Sequence, residues 1–276
     1  ITYPSLCYIK FIYNKVKCKT ILQHHGLDIL QFQTGLKIPF LKNLQNSILK
    51  KRFVNSSSYV KLHIAVSKIV KSKIIEINNL IENDIYICIN GVDTSKFYQE
   101  KNPIKNNSFT IGCVANFWKL KDQISLLKAV AILNKKGIKN IRVEFVGDGV
   151  TKKMCEKFAK KNNIDCKFIK DIKHNKLRSF YNKLNLFVLP SYFEAFGCVY
   201  LEALACNVPF IGVVKQGIES VIPIEHRHNH LVNPKSPIDL SNMILYFYKN
   251  KSKFRFYDNL KIENTVSKML SHINTI

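Results

Sequence analysis

The second half of the chain alternates short apolar runs with stretches in which apolar residues recur at helical spacing. The apolar runs predict strands at 111–115, 142–146, 166–169, 186–189, 210–213 and 231–233. The helical spacing predicts helices at 121–135, 151–161, 175–184, 237–249 and 259–273. Strands that alternate with helices build a parallel sheet covered on both faces, so we predict a doubly wound α/β domain.

The first hundred residues follow the same alternation less regularly. Their predicted elements are, in order, a helix at 1–19, strands at 20–23 and 63–67, a helix at 68–77 and a strand at 84–89. Polar residues and Pro103 then interrupt the pattern between 96 and 107. We therefore expect two domains with their boundary near this segment.

The stretch from Leu186 to Ile211 carries the clearest candidate site. An apolar run stops at Pro190, a polar turn leads to Gly197, and a helical pattern follows. Ligands of open parallel sheets bind beyond the carboxyl ends of the strands, so we expect a ligand at this turn. The amides that open the helix favour an anion such as a diphosphate. Glu194 in the turn and Glu202 in the helix can each accept hydrogen bonds from hydroxyl groups.

The full string is more specific than its two glutamates, which alone would fit any acidic loop and solvated helix. Pro-Ser-x-x-Glu-x-Phe-Gly, followed by Leu-Glu-Ala-Leu-Ala-Cys-x-Val-Pro, resembles the signature of the retaining glycosyltransferases of family 4. The resemblance implies a nucleotide diphosphate sugar as donor. It implies that Glu194 contacts hydroxyls of the sugar, that Glu202 contacts the ribose, and that the diphosphate lies at the amides near Phe196, Gly197 and Cys198.

The same resemblance extends to the loops after two earlier strands. The family has Gly-Arg and then Lys-Gly in the first loop, and here Ala115 and Asn116 replace Gly-Arg while Lys121 stands at the lysine position. Asn116 and Lys121 are therefore expected at the donor, the lysine on its diphosphate. Gly147, in Val-Gly-x-Gly, is expected to border the nucleotide. This string is too short for the fingerprint of a nicotinamide-dinucleotide site.

The resemblance also covers the first hundred residues. His25, in His-Gly-x-Asp, matches a family position that faces the sugar or diphosphate from the opposite domain, and Asn-Gly-Val-Asp at 90–93 matches the string that leads into the interdomain linker. The implied fold is GT-B, in which two Rossmann-like domains face a cleft. A family member would carry further strands and a glycine-rich loop before residue 1, so the N-terminal domain is expected to be incomplete.

These observations give three expected segments. Residues 1–96 are the remainder of the N-terminal domain, on the acceptor side, and 97–254 form the nucleotide-sugar-binding domain. Residues 255–276 contain the last helix, which in the resembling family packs back on the N-terminal domain.

The charge of the chain leaves a second hypothesis open. Its 43 Lys and Arg against 19 Asp and Glu give a net charge of +24. A basic, non-enzymatic protein that binds nucleic acid or another anionic surface is therefore the alternative. Because the lysines are dispersed rather than clustered, we expect no nucleic-acid partner. Residues 36–52 form a basic amphipathic segment that fits either an anionic membrane surface or a core-facing helix with a solvated basic face.

The cysteines and the missing targeting signals complete the expectations. None of the 8 cysteines forms a Cys-x-x-Cys pair, so they are expected to be buried reduced thiols rather than zinc ligands. No cofactor or metal is expected.

No membrane-spanning run or signal peptide is visible, which points to the cytoplasm or to the inner face of the cell membrane. The predicted activity is transfer of a hexose or N-acetylhexosamine to a glycan or lipid-linked acceptor, in the assembly of surface polysaccharide or lipopolysaccharide.

Overall fold

A computed structural model describes residues 20–26, 47–48, 51, 54–78, 84–103, 107–250 and 256–275. The helix predicted at 1–19 and most of the basic segment at 36–52 lie outside these residues. Contacts divide the chain into two units, one comprising Ile1–Ile89 and Glu194–Phe196, the other Asn90–Phe193 and Gly197–Ile276. The segments 1–96, 97–254 and 255–276 stay predictions.

The described part of the first unit contains a small parallel sheet. Its strands are β1 (Ile21–His24), β2 (Leu62–Ala65) and β3 (Ile85–Ile87), in the order β1-β2-β3. Helix α1 (Lys68–Asn78) follows β2. Every residue of β2 is buried, because the strand is central and both of its faces are covered.

The second unit contains a parallel sheet of six strands in the described residues. The strands are β4 (Phe109–Val114), β5 (Ile141–Val146), β6 (Asp165–Ile169), β7 (Leu186–Val188), β8 (Phe210–Val213) and β9 (Leu231–Val232). Their spatial order is β6-β5-β4-β7-β8-β9. The chain thus builds outward from β4 to one edge and then returns to build outward from β7 to the other edge. This is the doubly wound arrangement that the alternating pattern predicts.

Helices connect most of these strands, and two further helices follow β9. They are α2 (Gln123–Lys135), α3 (Lys152–Lys161), α4 (His174–Asn182), α5 (Cys198–Ala205), α6 (Pro237–Lys249) and α7 (Ile262–Asn274). Helix α6 begins with Pro237 behind Ser236, whose side chain accepts a hydrogen bond from the amide of Asp239. A proline at the first position and a serine before it are typical of a helix start, and this helix has the limits that the sequence predicts.

All predicted strands of the second half are confirmed, with ends that move by no more than two residues. Two short 3-10 helices, Gly217–Val221 and Ile224–Asn229, were not predicted. Their cause is a side-chain network: Arg227 donates to the Glu219 carboxylate at 2.6 Å and to the Glu219 carbonyl at 3.1 Å. Such contacts leave no periodic pattern in the sequence.

Aromatic rings fill the core beneath the sheet of the second unit. Phe187 of β7 meets Tyr181 of α4 and Tyr200 of α5, each in an edge-to-face contact with ring centroids 5.7 Å apart. Both tyrosines are completely buried. A buried tyrosine needs a partner for its hydroxyl group, and these two find different ones, as described below.

The expectation that the cysteines are buried is wrong at one described position. Cys88, Cys113, Cys155 and Cys206 are buried and Cys166 is half-buried, but Cys198 is exposed. It opens helix α5 and therefore lies at the end of the helix rather than on its packed face. None of the helices in the described ranges is long and apolar enough to cross a membrane.

Candidate functional site

The order of strands in the second unit defines where a ligand is expected. The sheet is built outward in opposite directions from the neighbouring strands β4 and β7. The connections that follow these two strands therefore lead to opposite faces of the sheet, and a ligand is expected at such a switch point, at the carboxyl edge. The predicted donor residues Asn116, Lys121, Gly197 and Cys198 lie in or next to these two connections.

The loop after β4 is fixed by hydrogen bonds to its backbone. The buried Gln123 side chain donates to the Asn116 carbonyl at 2.9 Å, while Asn116 itself is exposed. Lys121 is half-exposed at the end of a short 3-10 helix, Lys119–Lys121. Asp122, which stands where the resembling family has glycine, adopts the left-handed conformation with φ 50°. Aspartate is one of the few residues with a side chain that tolerate it.

Gly147 lets the loops after β4 and β5 approach each other closely. Its φ is +141°, and a Cβ atom on it would lie 2.2 Å from the Ala115 carbonyl oxygen. The neighbouring backbones are further joined by the Phe117 amide, which donates to the Asp148 carbonyl at 2.8 Å. The glycine is thus required by the packing of the two loops, whether or not it also borders a nucleotide.

The loop after β7 contacts the loop after β4 and then starts a helix. The Tyr192 amide donates to the Leu120 carbonyl at 3.1 Å. Gly197, with φ +80°, precedes α5 in a left-handed conformation, and no side chain caps the amides of that helix. The opening amides of a helix carry partial positive charge and have no partners within the helix. The partial positive charge and the absence of a side-chain cap both favour the binding of an anion at the start of α5.

Glu202 is hydrogen-bonded to one residue of α4 and lies near a second. The Tyr181 hydroxyl donates to Glu202 Oε2 at 2.8 Å, and His174 Nε2 lies 3.6 Å from Glu202 Oε1. Burial, and then the nearby Glu202 carboxylate, raises the pKa of Tyr181 well above its ordinary value, so the phenol stays protonated and donates. The carboxylate therefore has a defined orientation.

The remaining predicted residues belong to the first unit. His25 is exposed just after β1, and partial burial lowers its pKa. Glu194 is half-buried and Phe196 is buried, and between them the Ala195 carbonyl accepts a hydrogen bond from the Ser67 hydroxyl at 2.7 Å. The structure thus groups His25, Glu194 and Phe196 in one unit and the other predicted residues in the second.

A buried histidine pair lies beside His25 in the same unit. His24 Nε2 and His63 Nδ1 are 3.0 Å apart, and their rings stack. Burial, reinforced by His63, lowers the pKa of His24 to about 3, and burial also lowers the pKa of His63. Both side chains are therefore neutral near pH 7.

Three residues of the second unit act on the candidate site without having been predicted. They are Gln123, Tyr181 and His174, which contact Asn116 or Glu202 as described above. Gln123 gives no signal in the sequence, because glutamine is usually exposed and its burial is visible only in the folded structure. Tyr181 and His174 lie more than twenty residues before Glu202, and only the folded sheet brings them to it.

A cavity of about 460 Å³ lies elsewhere in the second unit. Its lining comes from β8, β9, the segment before β9 and α6, among them His228, Asn233 and Tyr246. None of the predicted donor residues lines it. Within the described ranges, no cluster of three His, Cys, Asp or Glu side chains could hold a metal ion.

Comparisons with known proteins bear on the family and the fold of the chain. The sequence profile of the family described as glycosyl transferases group 1 matches residues 94–262. The chain is 28% identical over 252 residues to an uncharacterized glycosyltransferase of Methanocaldococcus jannaschii, covering 90% of this chain and 64% of that protein. It is 31% identical over 174 residues to the capsular polysaccharide biosynthesis glycosyltransferase CapM of Staphylococcus aureus, covering 58% of this chain and 45% of CapM. It thus spans less than two thirds of either relative.

A solved structure supports the fold. HepE of Anabaena, in complex with UDP and glucose, matches with a TM-score of 0.81 at 17% sequence identity, over 100% of this chain and 76% of that chain. At this identity the likeness concerns the fold alone, which is the α/β fold with parallel sheets of GT-B glycosyltransferases.

Proposed function

The chain belongs to the family of glycosyl transferases group 1, and we propose that it transfers a hexose or N-acetylhexosamine from a nucleotide diphosphate sugar to a glycan or lipid-linked acceptor. The anomeric configuration would be retained, as the resemblance to family 4 implies. The name of CapM supports surface polysaccharide assembly as the setting, with lipopolysaccharide as a related product. An anionic membrane surface on the cytoplasmic side would then give access to a lipid-linked acceptor.

The observation that carries this proposal is the strand order of the larger sheet, which is built in opposite directions from the neighbouring strands β4 and β7. Two independent arguments support the same place: the strand order marks the carboxyl ends of β4 and β7 as the ligand-binding edge, and the strings that resemble family 4 fall on the loops after these two strands. The hydrogen bond between Tyr192 and Leu120 holds those loops together.

The chemistry asks the protein mainly to stabilise a departing nucleoside diphosphate. In the transfer, the bond from the anomeric carbon to the diphosphate oxygen breaks, an acceptor hydroxyl oxygen bonds to that carbon, and the hydroxyl proton passes to the departing diphosphate and from there to solvent. The Lys121 ammonium and the opening amides of α5 at Gly197 and Cys198 would stabilise the charge on the diphosphate. No metal ion is needed for this step, and we propose none.

The other side chains would bind the rest of the donor. Glu202 would accept hydrogen bonds from the ribose, and Asn116 and Gly147 would border the nucleotide. His25 and Glu194 would contact the sugar, an assignment that rests on the resemblance. HepE binds UDP, so a uridine nucleotide is the first donor to test.

The decisive experiment is calorimetry with UDP-glucose, UDP-N-acetylglucosamine, GDP-mannose and ADP-glucose. We expect one nucleotide to bind, and Glu202→Ala to weaken its binding by about 1–3 kcal/mol because hydrogen bonds to a charged group are lost. Glu263→Ala, which removes an exposed glutamate of α7, is the matched control and should bind as the unsubstituted protein does. Failure of the folded protein to bind any of these sugars would contradict the proposal.

A second substitution tests the diphosphate. Lys121→Ala should lower the affinity for the nucleoside diphosphate by about tenfold and that for the monophosphate by less, because one charge-assisted contact is removed. Lys128→Ala changes an exposed lysine of α2 and should have no effect. Equal losses for diphosphate and monophosphate would exclude Lys121 from the diphosphate.

The alternative, a basic protein that binds nucleic acid, predicts a different result. Binding to DNA that weakens steeply with salt, together with no nucleotide binding, would support it. Membership in a glycosyltransferase family does not favour it.

If transfer is observed, NMR of the product anomer decides between retention and inversion.

A further inference from the structure

The Glu202 carboxylate is fixed from one side only. Its Oε2 accepts the hydroxyl of Tyr181 at 2.8 Å, and the glutamate side chain is 12% exposed. Its Oε1 lies 3.6 Å from Nε2 of His174, which is longer than a hydrogen bond and involves a side chain that is 64% exposed. One oxygen is therefore anchored by a buried hydroxyl, and the other lies next to an exposed side chain.

The anchor itself cannot move. Tyr181 is fully buried, and its ring makes edge-to-face contacts with Phe97, Phe180 and Phe187. A ring packed on three sides has one position for its hydroxyl, and a hydroxyl in one position selects one orientation of the carboxylate. An unanchored glutamate would instead sample several rotamers and would lose conformational entropy on binding a ligand.

We propose that Tyr181 is a positioning residue that orients Glu202 to accept a ribose hydroxyl, and that this contact lets the site prefer ribonucleotides over deoxyribonucleotides. The inference rests on the proposed function, since it concerns the nucleotide of the donor. A site built to bind a hydroxyl discriminates against an analogue that lacks it, because the carboxylate is then left without its partner.

A purely structural role for Tyr181 predicts something different. In that case its hydroxyl only satisfies a buried donor, and its removal lowers stability without changing which nucleotide binds. Tyr200 provides the matched control, because it is also fully buried against Phe187 and donates its hydroxyl to the Leu189 carbonyl at 2.7 Å rather than to Glu202. Tyr181→Phe and Tyr200→Phe therefore remove the same atom from equally buried rings.

The experiment measures the affinity of each variant for UDP, 2′-deoxy-UDP and 3′-deoxy-UDP by calorimetry, with GDP and ADP tested alongside. For the unsubstituted protein we expect at least one deoxy analogue to bind about tenfold more weakly than UDP, the equivalent of one hydrogen bond to a charged group. Tyr181→Phe should bind UDP about fivefold more weakly and reduce that discrimination to about twofold. Tyr200→Phe should keep the discrimination.

A nucleotide-independent measurement separates the two proposals. If the hydrogen bond exists, Tyr181→Phe and Glu202→Gln together should lower Tm by clearly less than the sum of their separate effects. Additive shifts would overturn the inference, even if nucleotides bind. Nucleotide binding with equal discrimination in Tyr181→Phe and Tyr200→Phe would also overturn it and leave the proposed function intact. Coupled Tm shifts without binding of UDP, GDP or ADP would overturn the proposed function and the ribose role with it.

Discussion

The two sheets differ in the exposure of the polar residues near them and in the partners of those residues. At the small sheet, His24 at the end of β1 is 7% exposed, and its Nε2 lies 3.0 Å from Nδ1 of His63, a residue of β2 that is 2% exposed. At the six-stranded sheet, Asn116 and Cys198 are exposed after their strands, and only one oxygen of Glu202 is anchored in the core. A polar residue at a strand end is therefore not by itself a ligand site, and what matters is whether its partners come from the protein.

Backbone geometry is the physical cause of this difference. Successive residues of a strand point to opposite faces, so His24 enters the core and His25 faces outward. At the larger sheet, Gly147 lets two loops pack through their backbones, and Gly197 starts a helix without a side-chain cap. The backbones of these loops are joined directly to one another, as by the Phe117 amide, which donates to the Asp148 carbonyl.

The largest effect is expected from a substitution that would push apart the closely packed loops after β4 and β5. Gly147→Ala should lower the free energy of unfolding by about 3 kcal/mol or more, because its Cβ would lie 2.2 Å from the Ala115 carbonyl and its φ of +141° is strained for alanine. Gly137→Ala is the control, since φ there is +86° but no atom lies within 4 Å of the new Cβ. It should cost only about 1 kcal/mol.

Denaturant unfolding of the three proteins measures both values. Equal destabilisation by the two substitutions would mean that the positive φ alone matters and that the loops after β4 and β5 can separate at little cost. The contrast between the larger sheet, whose loops pack through their backbones, and the smaller sheet, whose histidine side chains contact each other, would then not hold.

A pH titration tests the buried pair at the smaller sheet. The pKa of His24 is about 3 in the folded protein and is near 6.5 for an ordinary histidine, so the unfolded chain binds the proton first. Stability is thus unaffected above about pH 6.5 and falls as the pH drops toward 3, by up to about 1.4 kcal/mol per pH unit from His24 alone. The lowered pKa of His63 adds a loss of the same sign.

Urea unfolding followed by circular dichroism between pH 7.5 and 4.5 measures this slope. His24→Leu should make the slope shallower. Leu22→Ala, which cuts a buried neighbour on β1 without removing a titrating group, should lower stability equally at every pH. A slope that is the same in all three proteins would show that the imidazoles accept protons while folded.

Much of this fold was predictable because parallel strands are covered on both faces and read as continuous apolar runs. The limits of β8 and α6 are those predicted. Helix α2 begins at Gln123 rather than 121, because Lys119–Lys121 forms a 3-10 turn and Asp122 is left-handed. A local pattern of apolar residues does not distinguish this turn from the first turn of the helix.

Some features of the candidate site depend on the neighbouring sequence, and others depend on contacts between residues that are distant in the chain. The position of Gly197 before a helix follows from the sequence that surrounds it. The partner of Glu202 does not follow from the surrounding sequence. Tyr181 of α4 contacts it only in the folded protein, because β7 separates α4 from α5 along the chain. Likewise, no pattern distinguishes His24, which is neutral and paired, from the exposed His25 until it is known which face of β1 is buried.

The smallest effect is a difference in thiol reactivity that leaves the fold unchanged. Among the described cysteines, Cys198 is exposed at the start of α5, whereas burial raises the pKa of Cys113 and of the half-buried Cys166 to about 12. Because the thiolate is the reacting form, iodoacetamide should modify Cys198 first. A bound nucleotide sugar should slow that reaction and leave Cys166 unaffected. Mass spectrometry of the peptides, with and without the sugar, measures both rates. Equal labelling of Cys198 in the two conditions would mean that the rim of the larger sheet, although exposed, is not where the donor lies.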